Sequence, residues 1–205
     1  MTVEEFANKL LQHLLSIDDM SRFSINFIKH RDVEIEDCCC YYINKRITRI
    51  TNTNQVFTEL RFRCCHNGEI NWITFNGCIT NLEMSLALLE MGFVKMFISF
   101  ANDCINDHHI QDLLRYKVGC AIGLKRPDAL KIILFTDWDV ITAEFCDANW
   151  KDSYYKRVMR CQFDEDDISE WLDVATAFKQ YECIALLLRY KKEKLNTDNT
   201  DDIAL

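Results

Sequence analysis

Apolar residues recur at two different periods along this chain. From Thr2 to Ile17 the spacing is helical, with Phe6, Leu10, Leu11, Leu14 and Leu15 on one face. Thr2 and Glu5 stand three apart, as a capping box requires, so hydroxyl and carboxylate can each satisfy a free N–H of the first turn. Residues 18–37 show no clear period, and "FSINFIKH" reads as a short helix. Over residues 38–79 the pattern changes to alternation, in segments rich in β-branched and aromatic residues: "CCCYYINKRITRI", "QVFTELRFRCC" and "EINWITFNGC". Val56, Leu60 and Phe62 alternate with polar neighbours on one side of His66-Asn67-Gly68, and Ile70 and Trp72 do so on the other. Asn-Gly tolerates positive φ and signals a hairpin. The spacing predicts two to three antiparallel strands here.

The helical period returns at Thr80. Thr80 and Glu83 form a second capping box, opening a helical run to Phe100 that Gly92 can break in two. A further helix or pair starts near Asn106 or Asp107. Pro127 suits the first turn of the next, where its missing N–H costs nothing. "FDEDDISEW" starts another, with Asp167 and Glu170 at capping spacing. The predicted class is α+β, mainly α: an N-terminal helix and a small antiparallel hairpin or meander, then stacked helical hairpins. Residues 1–79 read as an N-terminal α/β segment and 80–205 as the helical segment, the two making either separate parts or one compact domain.

The helical part repeats itself. Moving residues 118–134 forward by 54 positions sets Val118 on Leu172, Ala121 on Ala175, Leu124 on Phe178, Asp128 on Glu182, Leu130 on Ile184, Ile133 on Leu187 and Leu134 on Leu188. The polar break Lys125-Arg126-Pro127 falls on Lys179-Gln180-Tyr181. Moving back by 33 meets Ser85, Leu88, Met91, Phe97, Phe100 and Ala101, in a region apolar nearly throughout. This unit, over residues 118–192, resembles the helix pair of an ankyrin repeat, whose period is about 33 residues. The resemblance implies stacked helix pairs that hold other proteins. The chain departs from that family in lacking the T-P-L-H turn and the glycine between the helices. It also carries an insertion, "TAEFCDANWKDSYYKRVMRCQ", between its two clearest units.

Composition narrows the function. A chain of 205 residues, 49% hydrophobic, buries enough surface to fold without staples. Thirty-two acidic against 24 basic residues give a net charge of −8, which disfavours nucleic acid as a partner and suits a protein with a basic face. No apolar run reaches membrane-spanning length, and acidic residues stand where a signal peptide carries basic ones, so a cytoplasmic protein off the membrane is expected. There the eleven cysteines are expected to be thiols acting mainly as small apolar residues.

Candidate chemistry is sparse. Phosphate loops, nucleophile elbows and zinc-protease signatures are missing. The clusters "CCC" at 38–40, "CCH" at 64–66 and "CINDHH" at 104–109 hold metal-ligand types, but adjacent cysteines on a strand point to opposite faces. No catalytic residue, metal or cofactor is therefore assigned. Two features suit partner contact: the aromatics Trp138, Trp150, Tyr154 and Tyr155, with Asp139 beside the first, and the acidic run Asp164, Glu165, Asp166 and Asp167. The run also fits a helix N-terminus, where acidic groups cap and complement the macrodipole. The expected function is a non-enzymatic protein-interaction module. By analogy it resembles immunity proteins, inhibitors that occlude a basic partner such as a toxin. The alternative is a viral or pathogen effector that recruits a host protein, and a thiol-dependent enzyme comes third.

Overall fold

A computed structural model describes residues 1–14, 25–28, 35, 41–50, 55–64, 70–102, 110–138 and 163–195. The chain divides into two compact units, Met1–Asn106 and Asp107–Leu205. The class is α+β and mainly α.

The first unit opens with helix α1 (Val3–Leu14), whose capping box forms as the sequence predicts: Thr2 N–H donates to Glu5 Oε2 at 2.8 Å and Glu5 N–H to Thr2 Oγ1 at 3.1 Å. Strands β1 (Ile25–Ile28), β2 (Tyr41–Ile50), β3 (Gln55–Cys64) and β4 (Ile70–Asn76) then build an antiparallel sheet in the order β1-β4-β3-β2. The short helix expected at "FSINFIKH" is a strand over Ile25–Ile28, because "INFI" finds an edge of the sheet, pairing Ile25 with Phe75 and Ile28 with Trp72. The predicted turn at Asn67-Gly68 lies outside the described residues.

Register decides which side of the sheet is core. Leu60 faces Ile73 and Thr58 faces Phe75, and all four are fully buried. Buried Thr58 joins the sheet to the next segment: its hydroxyl donates to the Gly77 carbonyl at 2.8 Å and accepts from Ile79 N–H at 3.0 Å. Helices α2 (Asn81–Glu90) and α3 (Val94–Asn102) follow, with the Thr80–Glu83 capping box complete. Helix α2 packs on α1 and α3 on β2. Phe6 meets Phe93 edge-on at 5.1 Å, and His13 Nδ1 lies 2.9 Å from Glu90 Oε2. The boundary expected after residue 79 thus falls inside the first unit, because α2 and α3 bury their apolar faces on the sheet and α1.

Among the described residues, the second unit holds two helical hairpins. Helices α4 (Ile110–Gly123) and α5 (Pro127–Phe135) form one, and α6 (Glu165–Ala177) and α7 (Tyr181–Tyr190) the other. Helix α4 packs on α6, and α5 on α7. Ala121, Ala129 and Ala175 are fully buried and let the helices approach closely, while Leu130, Ile133, Ile168 and Leu187 fill the seam. An aromatic group closes the far end: Phe163 lies 5.0 Å from Trp171 and 5.9 Å from Tyr190, and its N–H donates to the Tyr190 hydroxyl.

Candidate functional site

The two turns of the second unit are built alike. Lys125 and Lys179 both take the left-handed backbone, with φ of 54° and 55°. After each, the next N–H reaches back five residues: Arg126 to the Ala121 carbonyl at 2.8 Å, and Gln180 to the Ala175 carbonyl at 2.9 Å. The lysine N–H groups bond Ile122 and Thr176, which completes a Schellman motif in each hairpin. Gly92 closes α2 the same way, at φ 80°, with Phe93 N–H on Leu88 and Gly92 N–H on Leu89. These three residues stand 33 and 54 apart, the offsets at which the sequence repeats. The following residue is buried in every case, although it is Phe93 in one hairpin, Arg126 in the next and Gln180 in the last.

Between the two turns of the second unit lies a groove of about 380 Å³. Lys125 and Pro127 line it from the first hairpin, and the stretch Phe178 to Cys183 from the second. Phe178 is 63% exposed and Tyr181 75% exposed, so two aromatic rings stand in water at its rim. Between them Gln180 is only 9% exposed, and its Nε2 is buried without a hydrogen-bond partner. Its Oε1 accepts the Cys183 thiol at 3.5 Å. Burial, with Glu182 nearby, pushes the Cys183 thiol up, so it is a neutral donor at pH 7.

The helices that start here lack side-chain caps. Neither Arg126 before α5 nor Gln180 before α7 makes a cap hydrogen bond. The first helical bond of α7 runs from Ile184 N–H to the Gln180 carbonyl. The N–H groups of Tyr181, Glu182 and Cys183 therefore have no helical acceptor, and these three residues line the groove at the positive end of the helix dipole. By contrast, α2 and α6 both open on complete capping boxes.

The residues singled out from the sequence fare differently. Trp138 is 2% exposed, and its indole N–H donates to the Ile133 carbonyl at 2.8 Å. It is a core residue anchoring the end of α5 and not the surface contact expected. Asp139, Trp150, Tyr154 and Tyr155 lie outside the described residues. The acidic run opens α6, with Asp164 as N-cap and Asp167 three residues on, both arms of the box made. The box thus sits one turn earlier than the Asp167–Glu170 pair the sequence suggested. Arg115 of α4 binds Asp167 at 2.9 Å and Asp164 at 3.4 Å, and Lys191 binds Glu165 at 2.6 Å. Asp166 is exposed. Most of the run is thus engaged within the unit.

Of the metal-ligand clusters, residues 38–40, 65–66 and 104–109 lie outside the described residues. Among the described residues, no three of His, Cys, Asp and Glu gather where an ion could sit, and no helix is long and apolar enough to cross a membrane. The groove residues had a signal in the sequence, since Lys125-Arg126-Pro127 aligned with Lys179-Gln180-Tyr181. Reading these as a lost glycine hid what the replacements assemble. Family models, curated proteins and solved structures offer no match to this chain.

Proposed function

We propose that this chain is a protein-binding module of degenerate ankyrin-like type, and that a segment of its partner seats in the groove between the turns of the second unit. The observation that carries the reading is the pair Phe178 and Tyr181, exposed on either side of a buried amide. Exposed aromatics over a concave, partly apolar surface are the usual anchors of an interface. The hairpin that carries them shares its turn geometry with the hairpin before it, as repeat units do. An inhibitor or immunity role is the case in which the docked segment borders the partner's active site. The module is proposed to work in the cytoplasm, where its cysteines stay reduced.

Affinity capture with the full chain, beside a Phe178→Ser/Tyr181→Ser variant of matching circular dichroism, tests this. Loss of two anchor residues should lower partner yield about tenfold or more. Equal recovery of the same partners by both proteins would contradict it.

A further inference from the structure

Resting on that reading, we infer that the occupant of the groove is an acidic peptide segment, with a carboxylate held between Lys125 and Lys179 and an apolar neighbour on Phe178 and Tyr181. Three independent features favour negative charge at this place in a chain whose overall charge is −8. First, the lysines occupy left-handed positions that glycine fills at lower cost, as it does at Gly92. Two hairpins keep a cation there, and both cations line one groove. Second, helix α7, of ten residues, has no side-chain cap, and its first-turn residues Tyr181, Glu182 and Cys183 line this groove at the positive end of its dipole. Third, Gln180 is nine-tenths buried, lines the groove and has a donor with no acceptor. Such a group is costly unless a partner appears.

Among the described residues, Glu182 is the one carboxylate lining the groove, and it is outnumbered by the lysines. A carboxylate seated between them accepts from the lysine ammonium groups and the first-turn N–H groups. The Gln180 amide, which lines the same groove, is the further donor that this carboxylate would satisfy. Charge-assisted bonds of this kind are stronger than neutral ones, so a peptide bearing Glu or Asp is preferred to its amide counterpart. The aromatic rims make a peptide a better fit than a bare anion, since they need an apolar side chain to cover them.

The test uses the full chain and short fluorescein-labelled peptides of alternating Glu and Leu, with versions carrying Gln or Lys in place of Glu. Binding is read by anisotropy and located by amide chemical shifts. The Glu peptide should bind about tenfold more tightly than the Gln version at low salt, and the difference should shrink as salt rises. Lys125→Glu/Lys179→Glu should remove that preference. Gln180→Met should weaken the Glu peptide about threefold and leave the Gln version unchanged. Shifts should centre on residues 125 and 178–183. Equal binding of Glu and Gln versions at those residues would overturn the acidic inference and leave the docking groove standing. Preference for the Lys version would overturn it too. If no peptide shifts those residues, the groove reading itself falls.

Discussion

Lys125 and Lys179 hold a backbone shape that L residues adopt at a cost of about 1 kcal/mol. Changing either to Gly should raise stability by up to about 1 kcal/mol, seen as a rise in thermal midpoint. The reverse change, Gly92→Ala, meets no steric neighbour, since nothing lies within 4 Å of the added Cβ. It should still lower stability by about 1 kcal/mol, from backbone strain alone. Equal midpoints for all three variants would show that φ is not the controlling factor. Gln180 makes a sharper case. Gln180→Met keeps the volume and removes the buried donor without an acceptor. Denaturant unfolding should show unchanged stability or a gain of about 1 kcal/mol, because no satisfied group is lost apart from the weak thiol bond. A clear loss would mean that the amide serves the fold and not a ligand.

Helix ends distinguish structural from functional charge. Asp164 caps α6 and also meets Arg115, so Asp164→Ala should cost about 1–2 kcal/mol. Asp166→Ala, on an exposed neighbour, should change stability by no more than about 0.5 kcal/mol. Similar losses from both would argue that net charge, not capping, sets the effect. At the other end of the chain, the Glu5 carboxyl is held below its ordinary 4.5, chiefly by the backbone N–H of Thr2. A depressed folded-state value means the stabilisation is present above the unfolded value and is lost as pH falls through the folded one. A side-chain NMR titration should therefore place Glu5 below 4.5, and Thr2→Ala, which keeps that N–H and removes only the hydroxyl, should move it upward slightly. A Glu5 midpoint at or above 4.5 in the unaltered chain would contradict the capping account. Capping boxes at Thr2 and Thr80 were legible because their spacing is local. The box at Asp164 was misplaced by a turn, since four acidic residues in a row offer several equivalent starts. The strand at Ile25–Ile28 was not legible at all, since four residues carry no period and only pairing with β4 makes them a strand.

At the scale of the whole molecule, the class followed from hydrophobic period, while the division into units did not. Period says that α2 and α3 are helices. It does not say that their apolar faces meet the sheet and α1, which depends on contacts between residues far apart in the chain. The candidate site was half visible for the same reason. The repeat aligned Lys125 with Lys179 and Arg126 with Gln180, but only the fold brings the turns together around one groove. Trp138 misled, since composition cannot tell an aromatic anchor in solvent from one whose indole N–H is spent on the Ile133 carbonyl. Among the described residues, the acidic run and the groove are the two candidate contact surfaces, one suited to a basic partner and the other to an acidic one. Site-specific photo-crosslinking separates them in one measurement, with a photoreactive residue placed at position 181 or at position 166 in cells that make the protein. The account predicts partner adducts from position 181 and few from position 166. Adducts from position 166 alone, or equally from both, would contradict it.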